Sequence, residues 1–165
     1  MVKQVPFPQS CSLNGRQSEH YYRDTFVCQV TLKELNAIKV YHSIFAYLPV
    51  PIQITLKIRN SVVKHIGFSS AGTELALELE DIEEGKQAGF LVYEKVTSEE
   101  IIASASEENM DMWIAVQRTA PNEYAISTLV NLKTKMGRAY MALIKPFHKI
   151  VARYCIQHAL KTGRI

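Results

Sequence analysis

Lys135-Met-Gly-Arg-Ala-Tyr-Met-Ala-Leu-Ile-Lys-Pro-Phe-His-Lys-Ile-Val-Ala-Arg-Tyr-Cys-Ile-Gln-His-Ala-Leu160 is the stretch that decides the fold. It is a long amphipathic helical pattern that follows a run of short strands. At about 100° per residue, Met136, Tyr140, Leu143, Phe147, Ile150, Val151, Tyr154 and His158 gather on one face. Arg138, Lys145, Lys149 and Arg153 gather on the opposite one. The pattern predicts a helix over about residues 135–160, bent at Pro146, with the apolar face on a core and the basic face in water. A curved sheet closed by one terminal helix is the fold this order implies.

Upstream, residues 90–96, 100–106, 110–118 and 124–133 read as strands at hairpin spacing, which makes an antiparallel meander. Ile101, Ala103 and Ala105, then Met110, Met112, Ile114 and Val116, then Tyr124, Ile126, Thr128, Val130 and Leu132 mark one apolar face per strand. That face needs a cover, and the terminal helix supplies it. The acidic, leucine-containing run 71–85 reads as a surface helix.

Nearer the start, Tyr22, Phe26, Cys28 and Val30 alternate with polar residues, the period of a half-buried strand, and Asp24 falls on the apolar parity. Thr31-Leu-Lys-Glu34 has the form of a capping box ahead of a helix to about residue 48. Pro49-Val-Pro51 breaks that helix and starts a second one, which Gly67 would stop. Apolar residues cover most of the second helix's circumference, so it is expected to be buried. Residues 1–18, with Pro6, Pro8 and Asn14-Gly15, read as an extended arm with at most one short edge pairing. The expected organisation is this arm followed by one α+β domain over 19–165.

Composition sets the bounds. A chain of 165 residues, 47% hydrophobic and 21% charged, builds one core of useful size. A formal charge of +3 lacks the density of a nucleic-acid binder, so no nucleic-acid partner is expected. Cys11, Cys28 and Cys155 have no CxxC or Cys/His spacing, which points to a reducing compartment rather than a disulfide framework. No run has the length of a signal peptide core or a membrane span, so the expectation is a soluble, cytoplasmic protein. No His pair stands at i, i+4 with a carboxylate, and there is neither a G-x-S-x-G elbow nor a phosphate loop. No metal or cofactor is expected.

Strand, two short helices, meander and long terminal helix is the order of the helix-grip fold. It resembles the superfamily of START domains, the major birch-pollen allergen and polyketide cyclases. At the level of residues the chain is similar to a mostly bacterial family classed only as a domain of unknown function near that superfamily. The resembling pieces are Tyr21-Tyr-Arg-Asp24-Thr-Phe26, Ile58-Arg-Asn60-Ser-Val-Val-Lys-His-Ile-Gly67, Met110-Asp111-Met112, and Leu132-Lys-Thr-Lys-Met-Gly137-Arg138-Ala-Tyr140 leading to Pro146-Phe147-His148. Where the family pattern reads His-Leu-Asp-Phe, this chain has Asn109-Met110-Asp111-Met112. The resemblance implies the fold and often an internal apolar cavity, and it assigns no reaction.

Asp24 is the candidate for catalysis, because an inward carboxylate on an early strand can orient a ligand or move a proton. Its plainer reading is a strand-end Asp bonded to backbone or to Arg59 or Arg138. Tyr22, Tyr93, Met110, Met112, Trp113, Tyr140 and His148 are the candidate pocket wall, apolar with a few polar groups; the same side chains also suit a filled core. Asp111, opposite in parity to its methionine neighbours, is expected outside. Three functions fit: a module binding an apolar small molecule or lipid between sheet and terminal helix, a cyclase, hydratase or isomerase in the same cavity, and an interaction protein docking its basic helix face on an acidic partner or membrane surface.

Overall fold

Two strands open the chain, β1 (Val2–Gln4) and β2 (Tyr21–Gln29), and two helices follow, α1 (Ala37–Phe45) and α2 (Val50–Val63). Then come β3 (Gln87–Ala88), β4 (Leu91–Val96), β5 (Glu100–Ser106), β6 (Met110–Ala120) and β7 (Glu123–Leu132), and α3 (Lys135–Lys161) closes the fold. This is a computed structural model that describes residues 1–66 and 74–165. Its described strands form one curved, antiparallel, open sheet in the order β1-β2-β7-β6-β5-β4-β3. The expected stop at Gly67 and the first residues of the acidic run lie outside the described residues.

Register turns the apolar parities into rows across the sheet. Ala105, Met112, Val130 and Tyr22 are aligned across β5, β6, β7 and β2, as are Ala103, Ile114, Thr128 and Asp24, and Ile101, Val116, Ile126 and Phe26. Because side chains alternate along a strand, these rows share one face. Two helices cover it together: α1 lies over β5 and β6, and α3 over β1, β2 and β7.

The terminal helix is turned away from its expected orientation. Gly137, Met141, Cys155, Ile156 and Ala159 are the buried residues of α3. Of the predicted core face, Met136, Leu143, Phe147, Ile150 and Tyr154 are exposed, and Tyr140, Val151 and His158 are half-buried. The cause is close packing at the start of the helix. Thr134 caps it by accepting from the Gly137 N–H at 3.0 Å, and the Thr134 hydroxyl donates to Asn109 Oδ1 at 2.6 Å. A Cβ on Gly137 would meet the Asn109 carbonyl oxygen at 2.4 Å. Small and mid-sized residues therefore face the sheet, and a wheel weighted by hydropathy points to the wrong flank.

The basic flank also differs from the expectation of a purely solvent-facing stripe. Lys145 lies over the Tyr22 ring and Arg153 over the Phe26 ring, each 5.8 Å from the centroid. Eight helical residues rise about 12 Å and four strand residues about 13 Å, so α3 keeps in step with β2 along this row.

Across the sheet, the arm does more than pair through β1. Cys11 and Leu13 are buried against Ile102, Ala115 and Leu129, with Phe7 and Trp113 packed beside them. Three further readings change. α1 begins at Asn36, which accepts from the Lys39 N–H at 2.8 Å, instead of at a Thr31 capping box; Tyr124 and Arg118 hold the Leu35 carbonyl ahead of it. α2 exposes Val50, Ile54 and Ile58 rather than being buried all round. The described part of the acidic run is irregular apart from a 3-10 turn at Leu79–Asp81 and a turn at Glu84-Gly85. Like charges at helical spacing repel, and two tyrosines tether the chain instead: Tyr41 donates to the Leu75 carbonyl at 2.7 Å, and Tyr93 accepts from the Leu77 N–H at 3.0 Å.

Candidate functional site

Tyr22 and Asp24 are successive inward positions on β2, and α3 brings His148 down on them. The Tyr22 hydroxyl donates to Asp24 Oδ2 at 2.5 Å. His148 Nε2 lies 3.5 Å from the same oxygen, and its ring meets Tyr22 edge to face, 5.6 Å between centroids. Burial, and then the neighbouring Asp24 carboxylate, push the Tyr22 phenol well above its ordinary range, so it stays protonated and acts as a donor. The Asp24 side chain is 1% exposed and that of His148 27%. Asp24 Oδ1 and His148 Nε2 are buried atoms without a hydrogen-bond partner among the described residues.

Around this polar group the wall is apolar. Tyr22, Met110, Val130 and Met141 form a buried cluster, with Met112, Leu132, Tyr140 and Ile144 packed against it. Thr128 is directly opposite Asp24 in the β2–β7 register and is buried as well. Arg59, an expected partner for Asp24, donates instead to the Tyr140 hydroxyl at 2.7 Å and to Asn60. Of the seven predicted wall residues, Tyr22 and His148 thus meet Asp24, and Met110, Met112 and Tyr140 gather with Tyr22 beside it.

The other two stand elsewhere. Tyr93 is on β4, in the same row as Asp24 but four strands away, where it packs on Tyr41. Trp113 is on the reverse face, donating to Glu94 at 3.0 Å beneath the arm. Met141, which the methionine and tyrosine content also offers as a wall residue, joins this cluster, whereas Ile144 escapes a sequence reading because the wheel points the core to the wrong flank. Thr128 escapes because it falls on the apolar parity of β7, although a second polar residue at an inward position is itself a signal.

The chemistry open to this arrangement is narrow. A carboxylate with one free oxygen, a phenol held as donor and an imidazole edge can grip one polar group or move one proton. Cys11, Cys28 and Cys155 are buried, and burial pushes the Cys28 thiol up to about 12, so none is a ready thiolate. Among the described residues no three His, Cys, Asp or Glu side chains converge in metal-binding geometry. Asp111 sits outward as expected, with Lys133 at 3.1 Å. Two open grooves, of about 410 and 350 Å³, lie apart from Asp24: one at the β6–β7 turn beside Arg118, the other between Phe26 and the second half of α3.

An open curved sheet with a long terminal helix laid along one face defines an α+β protein consistent with the helix-grip architecture. Residues 16–155 match the model of the family described as "Protein of unknown function (DUF2867)", and the chain belongs to that family. The matched span contains Tyr22, Asp24 and His148. No curated protein and no solved structure matches the chain significantly. Among the described residues no helix is long and apolar enough to cross a membrane.

Proposed function

We propose that the chain binds a small, mostly apolar molecule between the sheet and the first half of α3, with Asp24, Tyr22 and His148 gripping its polar end. One observation carries this reading: a buried carboxylate, one oxygen of which has no partner among the described residues, is bonded to Tyr22, itself part of a methionine-rich cluster. An unsatisfied buried acceptor is costly, on the order of 1–3 kcal/mol, and persists where it has a use. Methionine side chains are flexible, so three of them can move aside for a ligand where an aliphatic core would resist. The START-like superfamily, which the element order resembles, is proposed on the same ground as the wider kinship.

A second reading has its own observation. His148 Nε2 lacks a hydrogen-bond partner as well and sits beside the carboxylate, a pairing that suits proton transfer on the bound molecule, as in an isomerase, hydratase or cyclase. The test is calorimetric titration and thermal shift with a panel of fatty acids, sterols and aromatic alcohols. Saturable one-to-one binding that raises Tm through linkage is expected, and Asp24→Asn should weaken the sterols and aromatic alcohols more than the fatty acids, whose carboxylate has no proton to donate to Asp24. Turnover of a bound compound, lost in Asp24→Asn, selects the second reading; no saturable binding across the panel overturns both.

A further inference from the structure

On its outer side α3 presents what a core helix does not need. Leu143, Phe147 and Ile150 are 70%, 64% and 68% exposed, a stripe that the fold leaves uncovered. α2, joined to α3 by the Arg59–Tyr140 hydrogen bond, exposes Val50, Ile54 and Ile58 on one side at i, i+4 and i+8. Exposed apolar stripes of this kind mark interaction sites.

Charge names the partner. α3 carries six Lys or Arg residues and no Asp or Glu, and α2 has Lys57 and Arg59 and no acid either. All 16 acidic residues of the chain lie outside these two helices. On α3 the cations and the apolar stripe meet: Arg153 is about 60° from Ile150 on the wheel. They also share one groove of about 350 Å³, lined by Lys149, Ile150, Arg153 and Tyr154 together with Phe26 and two glutamines. An apolar stripe flanked by cations and free of acids is the composition of a helix that lies in a membrane interface.

We propose that the outer face of α3 docks on the surface of a bilayer containing anionic lipid. Leu143, Phe147 and Ile150 enter the headgroup boundary, while Lys149 and Arg153 hold an acidic headgroup in the groove. Each cation near the surface changes partitioning by about fivefold, so replacing two should cost about 25-fold at low salt. The attraction is screened as ionic strength rises. This surface is independent of the Asp24 site, since the stripe points away from it.

The test is cosedimentation with phosphatidylcholine vesicles, with and without phosphatidylserine, at low and physiological salt. Wild-type protein should be recruited to the phosphatidylserine vesicles at low salt, less so at physiological salt, and hardly at all to phosphatidylcholine alone. Lys149→Gln with Arg153→Gln should weaken recruitment about 25-fold, and Phe147→Ser with Ile150→Ser should abolish it. All four positions are on the surface of α3, and circular dichroism verifies that the variants fold. Recruitment that survives loss of Phe147 and Ile150 overturns the proposal. So does an absence of recruitment at low salt, or a concentration-dependent dimer in sedimentation velocity that Phe147→Ser disrupts without any vesicle binding.

Discussion

Asp24 has one oxygen held by Tyr22 and the other without a partner, and the two halves of that arrangement have opposite energetic signs. The phenol bond stabilises, because a buried carboxylate without any donor would be far worse off. Tyr22→Phe should therefore lower stability by about 1–3 kcal/mol. In an Asp24→Leu background the same change should cost little, because the acceptor has gone. Urea midpoints for the two single variants and the double variant measure that coupling. Additive losses would mean that Tyr22 contributes through packing against Met110 and Val130 and has no special tie to Asp24. The inward parity of Asp24 was legible from Tyr22, Phe26 and Cys28 alone. The partner was not, because His148 is more than a hundred residues away and reaches Asp24 only once α3 is placed.

Placing α3 was where local pattern misled. The helix and its extent follow from the sequence, yet its buried face does not, because Gly137 lets the backbone come so close to Asn109 that Ala and Cys suffice as core residues further along. The meander was more legible, since register in a half-buried sheet is fixed by the alternation itself. The arm is harder to read for a related reason: Thr25, Ser127 and Ala115 in the middle of the far face are too small to announce burial, with the Thr25 and Ser127 hydroxyls bonded at 2.9 Å, although Ile102 and Leu129 on the same face are an apolar signal. Glu100 pins the arm to that face by accepting from the Ser12 N–H at 2.9 Å and from the Lys95 ammonium at 2.7 Å. Burial alone would raise its pKa, but the Lys95 and Ser12 hydrogen bonds outweigh burial and hold it below the ordinary 4.5. A carboxylate depressed in the folded state stabilises fully above its unfolded pKa and loses that contribution as pH falls through the folded value. Glu100→Gln should thus cost about 1–3 kcal/mol at neutral pH, with a difference that shrinks below pH 4.5. Thermal melts of both proteins across acid pH measure it; a difference independent of pH would remove the ionic part of this account.

Taken whole, the molecule divides its labour by face. The arm seals one side of the sheet, α1 fills the β5–β6 half of the other, and α3 lies along β2 with a buried, partly unsatisfied carboxylate beneath it. Such a departure from otherwise consistent packing is where function is expected, since a core gains nothing from an idle carboxylate. The chain has five methionines, and they report on this directly. Met110, Met112 and Met141 wall the Asp24 site, whereas Met1 and Met136 are exposed and serve as internal controls. The decisive measurement is the NMR spectrum of methyl-labelled methionine during titration with the fatty acid, sterol and aromatic alcohol panel. Binding beside Asp24 predicts that the Met110, Met112 and Met141 signals shift together and saturate at one equivalent while Met1 and Met136 stay still. If the three interior signals remain fixed across the whole panel, or only Met136 moves, the space between sheet and α3 is a filled core and the proposed function is wrong.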